Sequence, residues 1–216
     1  MNNLTTIQTI AVYILPLILA ITLHEAAHAY MAHKYGDDTA KQYGRLSLNP
    51  MHHIDILGTI IFPLFSIVLG GGMIFGWAKP VPINFARLHN PKKNLFWVAL
   101  AGPLSNLAMA LIWALAFKAS IYMDSYFGHP FALMAQAGIG INISLMILNL
   151  LPILPLDGGR MIFSLLPAKQ AQQYSTTERY GMWIILILLF TNVLGAIIQP
   201  IYSVIVHLIY SLLLIG

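Results

Sequence analysis

The chain has 216 residues, 58% of them hydrophobic and only 8% charged, with a formal net charge of +4. A soluble globular domain carries roughly a quarter charged residues, so this composition excludes an ordinary soluble fold and places the chain among membrane proteins. Lys and Arg are scattered without the basic stripe of a nucleic-acid surface, and the lack of cysteine excludes disulfides, a thiolate nucleophile and any Cys-ligated zinc site.

Apolar stretches follow one another at about residues 9–32, 54–72, 94–118, 132–154, 181–197 and 199–215. A spanning helix needs roughly 20 apolar residues. The first, third and fourth stretches meet that length. The second is short and ends in Gly70-Gly71-Gly72, and the last two, parted by Gly195 and Pro200, read as one crossing plus an interfacial helix. The expected fold is an all-α polytopic membrane protein with about five to six membrane segments, forming a single integral-membrane domain over residues 1–216. The first ten residues lack the basic region of a secretory signal, so the first apolar run is read as retained.

Basic residues set the orientation. Residues 33–53 hold Lys34, Lys41 and Arg45, residues 73–93 hold Lys79, Arg87, Lys92 and Lys93, and residues 156–180 hold Arg160, Lys169 and Arg179. The N-terminal tail and residues 119–131 hold none, which places them outside and the three basic segments in the cytoplasm. The stretch 54–72 then has both flanks on one side and is expected to be re-entrant or only partly inserted, with Pro63 and the three glycines as places to bend.

The chemistry begins in ITLHEAAHAY, residues 21–30. His24 and His28 are one helical turn apart and share a face, so both imidazoles can reach one ion. Glu25 lies beside them. Zinc lowers the pKa of a bound water to about 7, and a neighbouring carboxylate can take its proton as it attacks a carbonyl. The competing reading is a buried polar cluster that joins helices.

A catalytic zinc generally has three protein ligands and an open position. Glu178, in STTER before a new helix, suits a solvated capping role, and His52, His53 and Asp55 suit an interface. Asp157 is the better third ligand: it sits in NLLPILPLDGGR, where Pro152 and Pro155 break an apolar helix and Gly158-Gly159 are expected to permit a sharp turn. Non-helical backbone at membrane depth is tolerated where it lines protein or a water-filled cavity. The alternative for Asp157 is a helix-ending surface acid.

HEAAH, together with Asn149-x-x-Pro152-x-x-x-x-Asp157-Gly158, resembles the site-2 protease family of intramembrane zinc metalloproteases. The similarity extends through GRLSLNP (44–50), GWAKPVPIN (76–84) and AGPLSN (101–106), from about residue 20 to 160. The resemblance implies one Zn2+ per chain held by His24, His28 and Asp157, Glu25 as general base, and Asn149 positioning the substrate or its developing oxyanion. It implies an endopeptidase acting on transmembrane segments of other proteins, in contact with the lipid bilayer and no nucleic acid. Family members often carry a PDZ or CBS domain, for which this chain has no room. The compact form suggests a bacterial or archaeal cytoplasmic membrane, with the site opening toward the cytoplasm.

A substrate helix must be unwound before its carbonyls can react. GRLSLNP and WAKPVPIN read as short extended segments at the cytoplasmic face, Pro80 and Pro82 forbidding helix, and one of them could pair with an unwound substrate; plain surface loops are the alternative. Asn106 and Asn142 lie in apolar helices, where they line the cavity or join helices by hydrogen bonds. His207 is assigned no role. Two other functions compete: a metal transporter or sensor using the His/Asp cluster, for which Glu25 would be superfluous, and a peptidase of prenylated peptides, which would want Glu178 as third ligand.

Overall fold

The computed structural model describes residues 4–61, 64–65 and 79–214. Its long helices are α1 (Thr6–Lys34), α3 (Pro91–Ser120), α4 (Ser125–Asn149) and α8 (Val193–Leu212); among the described residues these four are long and apolar enough to cross a membrane. Shorter helices are α2 (Thr39–Gln42), α5 (Asp157–Leu165), α6 (Ala168–Ser175) and α7 (Glu178–Phe190), and no strand occurs among the described residues. The all-helical membrane architecture expected from composition is therefore present.

Helix starts follow local chemistry. Thr5 and Gln8 form a reciprocal capping box at the start of α1, with Gln8 Oε1 accepting from Thr5 N at 2.9 Å. Asn90 caps α3, which opens with Pro91, where the missing N–H costs nothing. Asp124 Oδ1 accepts from Tyr126 N at the start of α4.

Small residues bring these helices together. Ala20, Ala29, Ala32, Ala99, Ala110, Ala114, Ala135 and Ala137 are buried, which lets backbones approach closely where lipid offers no hydrophobic drive between helices. Gly138 of α4 faces the Trp113 ring of α3, and a Cβ there would lie 2.4 Å from ring carbons. A core of Ala110, Trp113, Ala135, Ile139, Ile143, Leu194 and Ile198 joins α3, α4 and α8. The cross-contacts run antiparallel between α1 and α3 and between α3 and α4, the latter seen in Asn106–Asn142 and Trp113–Gly138.

The end of α1 gathers the polar connections. His89 N donates to Tyr35 O, Asn84 N to Asp37 Oδ2 at 2.6 Å, and Lys79 N to His53 O at 3.0 Å. Asp37 is fully buried and also accepts from Thr39 N. The chain between His53 and Lys79 thus begins and ends at one place. The re-entrant reading of 54–72 lies largely outside the described residues, which there comprise a π-helical turn at Ile56–Ile61 and residues 64–65.

Three expectations need correction. The last two apolar runs part at Thr191–Asn192, not at Gly195 and Pro200, which both lie within α8. Asn192 takes the left-handed conformation, φ 59°, that its short polar side chain tolerates. Residues 44–50 are not one extended run, since turn and bend at 44 and 46–47 give way to an extended Asn49 and a 3-10 turn from Pro50, whereas 79–84 is non-helical as its prolines require. Gly158 and Gly159 make no sharp turn; they are helical, in the first turn of α5, and their role is close packing. A Cβ would lie 2.2 Å from Leu150 O at Gly158 and 2.5 Å from Leu154 N at Gly159.

Candidate metal centre

The apolar run of α1 continues through HEAAH without interruption, so His24 and His28 face the same way from one rigid helix. His24 lies ten residues before Lys34, which closes the helix, so the site is about 15 Å in from that end at 1.5 Å per residue. Asp157 arrives from the other side, at the N-terminus of α5, after the irregular stretch that follows α4.

All three side chains are buried, at 7–8% exposure. His24 Nε2 and His28 Nε2 are 3.1 Å apart, and Asp157 Oδ2 lies 3.3 and 3.2 Å from them. Both tautomers are fixed from behind. His28 Nδ1 is 2.7 Å from Val98 O, a carbonyl that can only accept, and His24 Nδ1 is 2.6 Å from Asn106 Oδ1. Each Nδ1 therefore carries a proton, and in the neutral ring each Nε2 presents its lone pair to the centre.

Two imidazole nitrogens and a carboxylate oxygen converge within 3.1–3.3 Å of one another, and Asp157 Oδ2 is buried against both Nε2 atoms. Three such atoms can meet this closely when a proton or a metal cation lies between them. Four tetrahedral ligands at the usual 2.0–2.1 Å from zinc lie about 3.3 Å from one another, which the three separations match. The donor set fits a zinc ion with one position left open. Among the described residues this is the group of His and acidic side chains able to hold a metal.

Glu25, the next residue on α1, points toward the 79–84 segment, and its Oε2 accepts from Val81 N at 2.9 Å. Besides the Val81 N–H, the segment carries that of Ile83, which has no hydrogen-bond partner among the described residues. Lys79 N and Asn84 N are bonded elsewhere, and Pro80 and Pro82 have no N–H. The floor of the site is Gly102 of α3: a Cβ there would stand 2.3 Å from His28 Nε2 and 2.6 Å from His24 Cε1.

The structure thus brings together His24, Glu25, His28 and Asp157. Asn149, in the last turn of α4, turns back on its own helix, Nδ2 donating to Leu145 O at 3.0 Å. The weaker ligand candidates lie elsewhere: Glu178 is exposed in the first turn of α7, His52 Nδ1 bonds Gly44 O, His53 Nε2 bonds Ser47 O, and Asp55 Oδ1 accepts from Gly58 N. Asn106 and Asn142 prove to be bonded to each other, with Asn106 also on His24. Sequence reasoning missed Gly102 and Val81. The first lay in the AGPLSN motif and carried a signal; the second acts through its backbone and carried none.

The model of peptidase family M50 matches residues 120–192. The chain is 39% identical over 190 residues, 85% of its length, to "Putative zinc metalloprotease YwhC" of Bacillus subtilis, of which it covers 81%. It is 26% identical over 201 residues to "Putative zinc metalloprotease Rip2" of Mycolicibacterium smegmatis, covering 90% of this chain and 73% of that protein. With the Rip2 protein of Mycobacterium tuberculosis, identity is 27% over 182 residues, covering 82% of this chain and 66% of the relative. No solved structure matches the chain.

Proposed function

Since the chain belongs to peptidase family M50, the site-2 protease family, we propose that it is an intramembrane endopeptidase of the HExxH type that cuts within or near transmembrane segments of other membrane proteins. It is a zinc metalloprotease of the membrane. The observation that carries the finer reading is the convergence of His24, His28 and Asp157 about 15 Å below the end of a membrane-length helix, beside an unligated Glu25.

Zinc, when bound, supplies Lewis-acid polarisation and lowers the pKa of water to about 7. His24 and His28 hold it through Nε2 and Asp157 through Oδ2. Glu25, steadied at Oε2 by the Val81 N–H, has Oε1 to take the proton of the attacking water and to return it to the departing amine. Asn149 leaves its bond to Leu145 O and donates to the substrate carbonyl or the developing oxyanion.

The scissile bond must be presented unwound. The 79–84 segment already contacts Glu25, and its carbonyls at residues 79–83 accept no hydrogen bond from described residues, so an extended substrate donating its N–H groups can lie against it. The transporter or sensor reading gives Glu25 and its Val81 donor no task. A bacterial cytoplasmic membrane, with the site open to the cytoplasm, is supported by the bacterial relatives and by Lys34, Lys41 and Arg45 following one another at the end of α1.

The test is purified protein in detergent with a labelled transmembrane peptide. Cleavage inside the apolar segment, abolished by a chelator and restored by zinc, is expected. A chain that binds zinc stoichiometrically yet cuts no such peptide in any lipid or detergent would contradict the proposal.

A further inference from the structure

Behind the metal ligands runs a line of amides that the reaction itself does not use. His24 Nδ1 donates to Asn106 Oδ1 at 2.6 Å, Asn106 Nδ2 donates to Asn142 Oδ1 at 3.0 Å, and Asn142 Nδ2 donates to Gly138 O at 2.8 Å. Asn106 is on α3, Asn142 and Gly138 are on α4, and both asparagines are fully buried at 0% exposure. Asn106 Nδ2 has a weaker second acceptor, Ala20 O of α1, at 3.4 Å.

Every link in this line has a direction. An asparagine amide can be rotated so that its oxygen and nitrogen exchange places, and in a buried site the neighbours decide which way it stands. Gly138 O is a backbone carbonyl and can only accept, so it fixes Asn142 with Nδ2 toward it and Oδ1 toward α3. That oxygen fixes Asn106 in turn, with Nδ2 toward α4 and Oδ1 toward His24. Rotation of the Asn106 amide would set its oxygen against two acceptors, Asn142 Oδ1 and Ala20 O. It would also present an N–H to His24 Nδ1. The His24 proton would then move to Nε2, and the ligand atom would lose its lone pair. Unmatched groups of this kind are costly where no water can replace the missing partner.

We propose that Asn142 is a positioning residue for the metal centre, one helix removed from it: by dictating the orientation of the Asn106 amide it keeps His24 in the tautomer that ligates. The inference rests on the metal-site reading above and adds a residue outside the catalytic motifs to it. Simple bridging of α3 and α4 would need a hydrogen bond there, but not one of this polarity coupled to a ligand.

The test measures zinc affinity of the detergent-purified full chain by competition with a chromogenic chelator, the Co2+ absorption spectrum of the substituted site, and thermal unfolding. Partners of metal ligands typically contribute 10–100-fold in affinity. Asn106→Leu is expected to lose that much, and Asn142→Leu about tenfold with an altered Co2+ spectrum. The double variant should bind zinc no more weakly than Asn106→Leu alone, because Asn142 acts through Asn106. Asn142→Asp should restore affinity close to the wild type, since the protonated acid keeps an acceptor toward Asn106 and a donor toward Gly138 O. Should Asn142→Leu fail to fold, Asn142→Ala removes the same acceptor and carries the same expectations. Wild-type zinc affinity and Co2+ spectrum in Asn142→Leu, with only the unfolding temperature lowered, would overturn the proposal. So would an equal further loss when it is added to Asn106→Leu. If His24→Ala bound zinc as tightly as the wild type, the metal site itself would fall, a result separable from failure of the relay alone.

Discussion

The backbone N of Val81 stands 2.9 Å from Oε2 of Glu25, which lies 56 positions earlier in the chain. The contact ties the basic group of the HEAAH motif to the 79–84 segment, whose far end is tied to Asp37 through Asn84 N. Both carboxylates belong to α1 or the turn that follows it, so the helix carrying the two proposed metal ligands also fixes the segment that lies beside the site.

Replacing Val81 with proline removes this donor and leaves a side chain of similar bulk. A hydrogen bond to a charged group is worth about 1.5–3 kcal/mol, so Val81→Pro is expected to lower kcat about 10–100-fold while zinc content stays at one per chain. Val81→Ala keeps the N–H and serves as control. Equal activity of the two variants would show that the N–H has no part in orienting Glu25.

The chemistry of the site was legible in the sequence to the extent that it lies in side chains with helical spacing. His24 and His28 at i and i+4, and Asp157 at a proline-flanked break, could be read as ligands because periodicity and helix breaking act locally. Val81 could not, since a backbone N–H has the same signature at every residue but proline. The turn between α7 and α8 was misread for a related reason. Pro200 and Gly195 looked like breakers, but the freed carbonyl of a membrane helix can be satisfied by its surroundings. The chain instead reverses at Asn192, which holds φ 59°. Gly158 and Gly159 were legible as necessary, though not why: contacts with Leu150 O and Leu154 N arise only in the folded chain.

Gly102 allows a sharper test. Alanine is the better helix former, so on propensity alone Gly102→Ala should strengthen α3. In the structure its Cβ would stand 2.3 Å from His28 Nε2, which must move. Gly102→Ala is therefore expected to weaken zinc at least tenfold, a shift of the kind that follows from displacing a ligand, with helix content unchanged by circular dichroism. Gly195→Ala, where nothing lies within 4 Å of the added atom, should leave both zinc and activity as they are. Undiminished zinc binding in Gly102→Ala would mean that α3 does not form the floor of the site.

Topology has its own measurement, made simple by a chain without cysteine. Single cysteines at Ser47 and Asn84 are expected to react with a membrane-impermeant thiol reagent from the cytoplasmic side in both cases. The hydrogen bond between Lys79 N and His53 O joins the two flanks of 54–72, and that between Asn84 N and Asp37 ties the second flank to the turn after α1. Labelling of the Asn84 position only from outside would refute the re-entrant reading of 54–72.

The central claim, that Glu25 is the base of a zinc site built from His24, His28 and Asp157, is tested most directly by zinc content and peptide cleavage measured together on Glu25→Gln and Asp157→Ala. Glu25→Gln is expected to keep one zinc per chain and lose cleavage, because the ligands survive without the base. Asp157→Ala is expected to lose the zinc itself, since two imidazoles remain. Cleavage by Glu25→Gln at the wild-type rate, or unchanged zinc affinity in Asp157→Ala, would contradict the account.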